Sequence, residues 1–199
     1  MLIKAKKSIL VLLGEKFEEI ELVIPVSVWR YARQTVIIAS CTDSLSVRGV
    51  NGVTVSADEY LRDAEVSSDI LFLPGGDGHE TLRKNSLVLE KIRAYAEKKK
   101  LIAAICAAPL LLLDCGLLEG RHHTAYPCRE LPLADQSVPV VLDDGILTGR
   151  DPGAVFAFSL ELLKAIAASQ EDDEVQAHMK ELVRSMGLKE LWRQMGNEI

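Results

Sequence analysis

Several things are missing from this chain of 199 residues, and each absence removes a class of function. No apolar run reaches the roughly 20 residues that a membrane-spanning helix needs. The apolar core near the front, Ile9 to Leu13, is too short for a signal peptide and leads into an acidic run instead of a small-residue cleavage site. It reads as a first buried strand. Basic residues are outnumbered, 23 against 29 acidic, and the net charge is −6. Without a basic stripe interleaved with aromatics, no nucleic-acid partner is expected. The four cysteines, Cys41, Cys106, Cys115 and Cys128, match no CxxC zinc or redox spacing. Free thiols in a reducing cytoplasm follow, with neither metal nor cofactor. The glycine cluster LPGGDGHE lacks the GK[ST] of a P-loop. No repeat, low-complexity tract or linker divides the chain.

What remains is a regular alternation. Ser8–Leu13, Thr35–Ala39, Asp69–Leu73 and Leu101–Ile105 are continuous apolar runs, the pattern of strands buried on both faces. Helical patterns lie between and after them. Glu18–Arg33 carries Ile20, Ile24 and Val28 on one face; Ser86–Lys99 carries Leu89, Ile92 and Ala96; Pro152–Ala168 carries Phe156, Leu160, Leu163 and Ala167. Such alternation predicts a mostly parallel sheet covered by helices on both sides. Asn51-Gly52 and Asp144-Gly145 each sit between short β-like runs and predict added hairpins. Residues 1–199 are expected to form one domain with a helical extension from about 171. Its stripe of Val175, Met179, Leu182, Val183 and Met186 caps the core or docks on a partner chain.

Three stretches carry chemistry. In LIAAICAAPLLLLDCG, the strand ends near Ile105 and Pro109 suits the first turn of a helix that stops near Gly116. Cys106 then stands at a strand-to-helix elbow, beside helix-end amides that are expected to lower its thiol pKa. Taken alone, the same apolar run fits a buried, inert thiol. In LPGGDGHE, glycines at the end of a buried strand let backbone amides approach a developing negative charge; an ordinary turn is the plainer alternative. In GEKFEEIE, Glu18 and Glu19 suit the dipole at a helix start. Helical periodicity leaves open where Glu21 points. Facing the elbow, it would be desolvated beside the sulfur, its pKa would rise, and the protonated carboxyl could donate to the sulfur or relay a proton.

In order, EEIELVIPVSVWR, SVRGV, LPGG, LIAAICAAP and DDGILTGRDPG resemble the ThiJ/PfpI superfamily from about Ser8 to Ala168. The AICAAP form is similar to the branch that includes the parkinsonism-associated protein deglycase and its bacterial relatives. The resemblance implies a flavodoxin-like, class I glutamine amidotransferase-like three-layer sandwich. It implies that Cys106 is the nucleophile and redox-sensitive thiol, that Glu21 hydrogen-bonds it, and that Gly75, Gly76 and Ala107 furnish the oxyanion or binding amides. Arg48 and Arg150 match arginines near the pocket mouth, and Gly149 stands where many relatives carry serine. Members of the branch are usually homodimers. Protease-like members place His directly after the nucleophile; Ala107 stands there, which removes the base of a Cys-His pair. Tyr126 replaces a pocket histidine and suits hydrogen-bond donation; Cys128 is expected near it. His122 and His123 precede what reads as a strand and are expected to be structural or solvated and not catalytic, and Cys41 and Cys115 look like packing residues. Two functions follow on one site: a cofactor-free glyoxalase or deglycase acting on dicarbonyls such as methylglyoxal, or an oxidation sensor or redox-switched chaperone.

Overall fold

A computed structural model describes residues 7–65, 67–168 and 173–197. Its elements run β1 (Ser8–Leu13), α1 (Glu19–Tyr31), β2 (Thr35–Ser40), β3 (Ser46–Arg48), β4 (Thr54–Ser56), β5 (Glu59–Tyr60), β6 (Ile70–Leu73), α2 (His79–Leu82) and α3 (Ser86–Glu97). They continue β7 (Leu101–Ile105), α4 (Pro109–Asp114), β8 (Val140–Asp143), β9 (Ile146–Gly149), α5 (Val155–Ala168), α6 (Asp173–Ser185) and α7 (Lys189–Gln194). The main sheet has the order β5-β2-β1-β6-β7-β9-β8. Only the β8–β9 pair is antiparallel. The inner strands β2-β1-β6-β7-β9 follow the flavodoxin-like doubly wound order. The fold is the mostly parallel, flavodoxin-like α/β sandwich that the resemblance implies.

Strand alternation sends successive side chains to opposite faces. Ile9, Val11, Leu13, Phe72, Ile105 and Leu147 join one buried cluster, shared with Trp29 of α1 and Phe158 of α5. Leu10, Leu12, Leu71, Leu73, Ile102 and Ala104 join the other, shared with α3 and α4. Both faces are therefore dry, which is why these strands carry no polar alternation. On the first face, Trp29 meets Phe72 edge-on at 4.9 Å, and its indole Nε1 donates to Ser159 O at 3.1 Å.

Local expectations fare unevenly. The β8–β9 hairpin turns at Asp144 and Gly145, with φ of 41° and 77°, the left-handed pair that a tight turn requires. The β3–β4 pair forms a separate ribbon, and its loop spans residues 49–53. The Asn51 and Val53 amides there donate to the Glu19 carboxylate. Helix α3 buries Ile92 as expected, with Val88 and Tyr95 beside it, while Leu89 and Ala96 pack partly buried on the same cluster. The aromatic ring draws the larger part of that face inward. No strand follows His123 until β8, and His123 is buried, a structural and not a solvated histidine. In the extension, Met179, Leu182 and Val183 are buried and Met186 packs against the same cluster, so the stripe caps the core. Glu171 and the side chain of Val175 lie outside the described residues.

Candidate active site

The carboxyl ends of parallel strands are where doubly wound folds hold ligands. Here β6 leads directly into Pro74-Gly75-Gly76 and β7 directly into Cys106. Pairing of Leu73 with Ala104 sets these ends side by side. Cys106 has φ +62°, a left-handed conformation that costs a non-glycine residue on the order of 1–3 kcal/mol. Its own amide donates to Gly149 O at 2.9 Å, which fixes the elbow to the end of β9. Helix α4 then begins with Pro109 in its first turn and ends just before Cys115 and Gly116, as the sequence predicts.

Glu21 reaches the elbow from α1, and its residue is wholly buried. Neither carboxyl oxygen has a hydrogen-bond partner of ordinary geometry; the groups it faces are the Cys106 thiol and the Gly75 amide. Gly75 is demanded by space. A Cβ there would stand 2.4 Å from Glu21 Oε2, 2.7 Å from Cys106 Cβ and 2.8 Å from Ile105 O. Gly76 has φ +107°, and a Cβ there would stand 2.4 Å from the Glu18 amide nitrogen.

Two amides face the sulfur, those of Gly76 and Ala107. Both are aimed from behind. In a trans peptide, C=O and N–H point opposite ways. Gly75 O accepts from the Glu18 amide at 3.0 Å, which turns the Gly76 N–H toward the sulfur. Cys106 O accepts from the Tyr126 amide at 2.8 Å, which does the same for Ala107 N–H. Of the three expected amides, Gly75's faces Glu21, not the sulfur. The backbone roles of Glu18 and Tyr126 escape a reading of side-chain types, because any residue but proline can supply them.

Burial pushes the Glu21 carboxyl up to about 8, and the charges of Glu18 and Asp151 add to the rise. At neutral pH it therefore holds its proton. Burial also pushes the Cys106 thiol up, contrary to the sequence expectation of a lowered pKa. Desolvation outweighs the helix end here, and α4 spans only six residues, too short for a strong dipole. Glu21 adds to the thiol's rise only while ionised; the Gly76 and Ala107 amides oppose it. Once protonated, Glu21 exerts no charge, and its O–H is a donor for a thiolate. Two buried acids side by side hold at most one negative charge, with the proton on the other group.

The remaining expected residues make contacts of their own. Tyr126 is half exposed and is tied to the elbow by its main chain. Arg150 donates to Asp151 Oδ2 at 2.7 Å and to Gln136 O at 2.9 Å, so its charge is partly neutralised. The Arg48 guanidinium lies across the loop, with Nη2 3.1 Å from the place a Gly52 Cβ would take. A side chain at Gly149 would meet Ile105 and Phe158 carbons at 2.9 Å, so serine has no room there without a shift. Cys128 packs against the core cluster on the α3–α4 side, whereas Cys106 belongs to the other. Burial pushes the Cys41 thiol up to about 12 and raises that of Cys115. His122 bonds Asp135 at 2.9 Å, and His123 Nδ1 lies 2.9 Å from Arg121 O. Among the described residues, no cluster of three or more His, Cys, Asp or Glu side chains is arranged to hold a metal ion.

Relatives share this frame. Drosophila melanogaster protein dj-1beta is 33% identical over 178 residues, 85% of this chain and 94% of that protein. Its crystal structure matches with a TM-score of 0.82 over 92% of this chain and 98% of the other, at 30% identity. A Pyrococcus abyssi protein named a deglycase is 29% identical over 79% of this chain and 98% of its own length. Arabidopsis thaliana DJ-1 homolog B is 35% identical over 162 residues, 78% of this chain, which spans only 37% of that longer protein. Residues 7–165 match the DJ-1/PfpI family, and the chain belongs to it.

Proposed function

We propose that the protein is a cofactor-free enzyme that converts reactive dicarbonyls such as methylglyoxal to hydroxy acids, with release of dicarbonyl adducts from protein amines as a close variant. The observation that carries this reading is the wholly buried Glu21 carboxyl against Cys106, with no histidine bonded to either among the described residues. The deglycase name of the Pyrococcus relative supports it. From the singly ionised pair, the Cys106 thiolate adds to the aldehyde carbon, and the new oxyanion, met by the Gly76 and Ala107 amides, takes the proton held by Glu21. The Glu21 carboxylate then removes the proton from the former aldehyde carbon and returns it to the neighbouring carbon, while the hydroxyl proton passes from the first oxygen to the former ketone oxygen, leaving a thioester. Water cleaves that ester, releasing lactate and the thiol. A Cys-His protease mechanism lacks its base here. Wild type is expected to form lactate from methylglyoxal and Cys106→Ala to fall to the uncatalysed rate; equal rates, or none in either, would overturn the proposal.

The same donors favour a second reading, an oxidation sensor or redox-switched chaperone, because two amides and a carboxyl O–H also suit the oxygens of a sulfinate. Mild peroxide would then add two oxygen atoms to the intact mass of wild type and not of Cys106→Ala.

The homodimer implied by the family resemblance has a candidate surface. Ile20, Val23 and Tyr31 stand exposed along α1, with Val50 and Val53 exposed on the neighbouring loop. A groove lined by Leu22, Val26 and Val55 opens beside them. Apolar residues exposed beside a groove that Ser27 and Arg30 also line support this side of α1 as the place of association. Val23→Asp is expected to convert a dimer to a monomer in sedimentation at matched concentration; unchanged sedimentation of a dimeric wild type would place the interface elsewhere.

A further inference from the structure

The sequence assigns Glu19 to the helix dipole, and dipole compensation needs no burial. The structure buries Glu19 and surrounds its carboxylate with donors. Oε1 accepts from the Asn51 amide at 2.7 Å and from the Val53 amide at 3.3 Å. Oε2 accepts from the Asn51 carboxamide Nδ2 at 2.9 Å. The fit is tight: a Cβ at Gly49 would stand 2.5 Å from Glu19 Oε1. The same Asn51 Nδ2 reaches Glu18 Oε1 at 3.5 Å.

Glu18 leads directly to the site. Its Oε2 caps α1 by accepting from the Ile20 and Glu21 amides at 2.7 and 3.2 Å. Its own amide holds Gly75 O and so aims Gly76 N–H at the sulfur. The Val50 amide adds a bond to Phe17 O at 3.0 Å on the other side of the cap. One carboxamide thus joins two neighbouring carboxylates that would otherwise repel each other, and one of them holds both halves of the site.

We propose that Asn51 is a positioning residue for the Cys106–Glu21 pair, a clasp that ties the 49–53 loop to the cap of α1 through Glu18 and Glu19. This rests on reading Cys106 and Glu21 as the reactive pair, and not on the identity of the substrate. Asn51 touches neither reacting atom. Its loss frees Glu18, lets the Gly75–Gly76 peptide turn, and removes an amide donor from the thiolate.

The test is the pH dependence of Cys106 alkylation, followed by peptide mass, with lactate formation measured in parallel. Asn51→Ser deletes the donor without adding charge. Asn51→Asp sets a third carboxylate against Glu18 and Glu19. Both are expected to raise the alkylation midpoint and to slow alkylation at pH 7 by roughly fivefold or more, the size of one lost hydrogen bond to a charged group. The double variant Glu19→Gln with Asn51→Asp keeps the net charge and reverses the pair. The new amide Oε1 accepts the two backbone amides while its Nε2 donates to the new carboxylate. It is expected to recover part of the lost alkylation rate through the restored tie to residue 19, and not all of it, because the new carboxylate faces Glu18 Oε1 where Asn51 Nδ2 donated. An unchanged midpoint in Asn51→Ser, even with a lowered melting temperature, overturns the clasp, as does a double variant that recovers nothing. If Asn51→Asp fails to fold, Asn51→Ser and the double variant still decide between these outcomes. Loss of lactate formation in wild type, with these midpoint shifts intact, would count against the dicarbonyl reading alone.

Discussion

Glu21→Gln is expected to stabilise the protein, and by much more at pH 8 than at pH 5. The wholly buried carboxyl is pushed from its ordinary 4.5 to about 8, chiefly by burial. The folded state therefore keeps a proton that the unfolded chain releases near 4.5. A raised folded pKa contributes stability that is fully present below the unfolded value and is lost as pH rises toward the folded one. Between pH 4.5 and about 8, Glu21 draws the equilibrium steadily toward the unfolded state. Glutamine has the same shape and no proton to lose. At about 1.4 kcal/mol per pKa unit, discounted for relaxation around the charge, the gain at pH 8 is on the order of 2–4 kcal/mol, and it shrinks toward zero near pH 4. Urea denaturation of both proteins at the two pH values measures it. An equal difference at both would mean that Glu21 titrates normally. A site group that destabilises its own fold reflects the common exchange of stability for activity.

Gly75→Ala is expected to destroy the site and weaken the fold together. The added methyl would stand within 2.8 Å of Glu21 Oε2, Cys106 Cβ and Ile105 O. One of these is backbone and another is a Cβ, neither of which can yield, so only the buried end of Glu21 can move. Overpacking of this kind costs about 1–3 kcal/mol, and the relief available is separation of Glu21 from Cys106. Lactate formation should fall to background even where the variant stays folded by circular dichroism. A folded variant with wild-type turnover would show that the Glu21–Cys106 contact is dispensable.

Much of this frame is legible in the chain. Continuous runs such as Leu101–Ile105 name the parallel strands, because burial on both faces leaves no polar alternation to hide them. The break between Ile105 and Pro109 names the elbow. Glu21 is legible as a candidate and not as a contact, since a glutamate in a first helical turn satisfies the dipole wherever it points. The burial of Glu19 is hidden for the same reason: its partner Asn51 lies 32 residues along the chain. The rise of the Cys106 thiol is hidden because desolvation is set by packing from α1, α5 and both glycines, none of which a local window contains. The Glu18 and Tyr126 amides leave no trace in residue type, because main-chain donors are common to nearly all residues.

The central claim is that, once the buried pair carries its single negative charge, Cys106 bears it and Glu21 holds the remaining proton. The most direct measurement is the midpoint of Cys106 alkylation against pH in wild type and in Glu21→Gln, with Cys115 as the internal control. If the protonated carboxyl donates to the thiolate, an amide donor is the poorer substitute, and the midpoint in Glu21→Gln lies above that of wild type. If Glu21 is instead ionised beside the sulfur, its removal relieves a repulsion. The midpoint then falls, and that result would contradict the account.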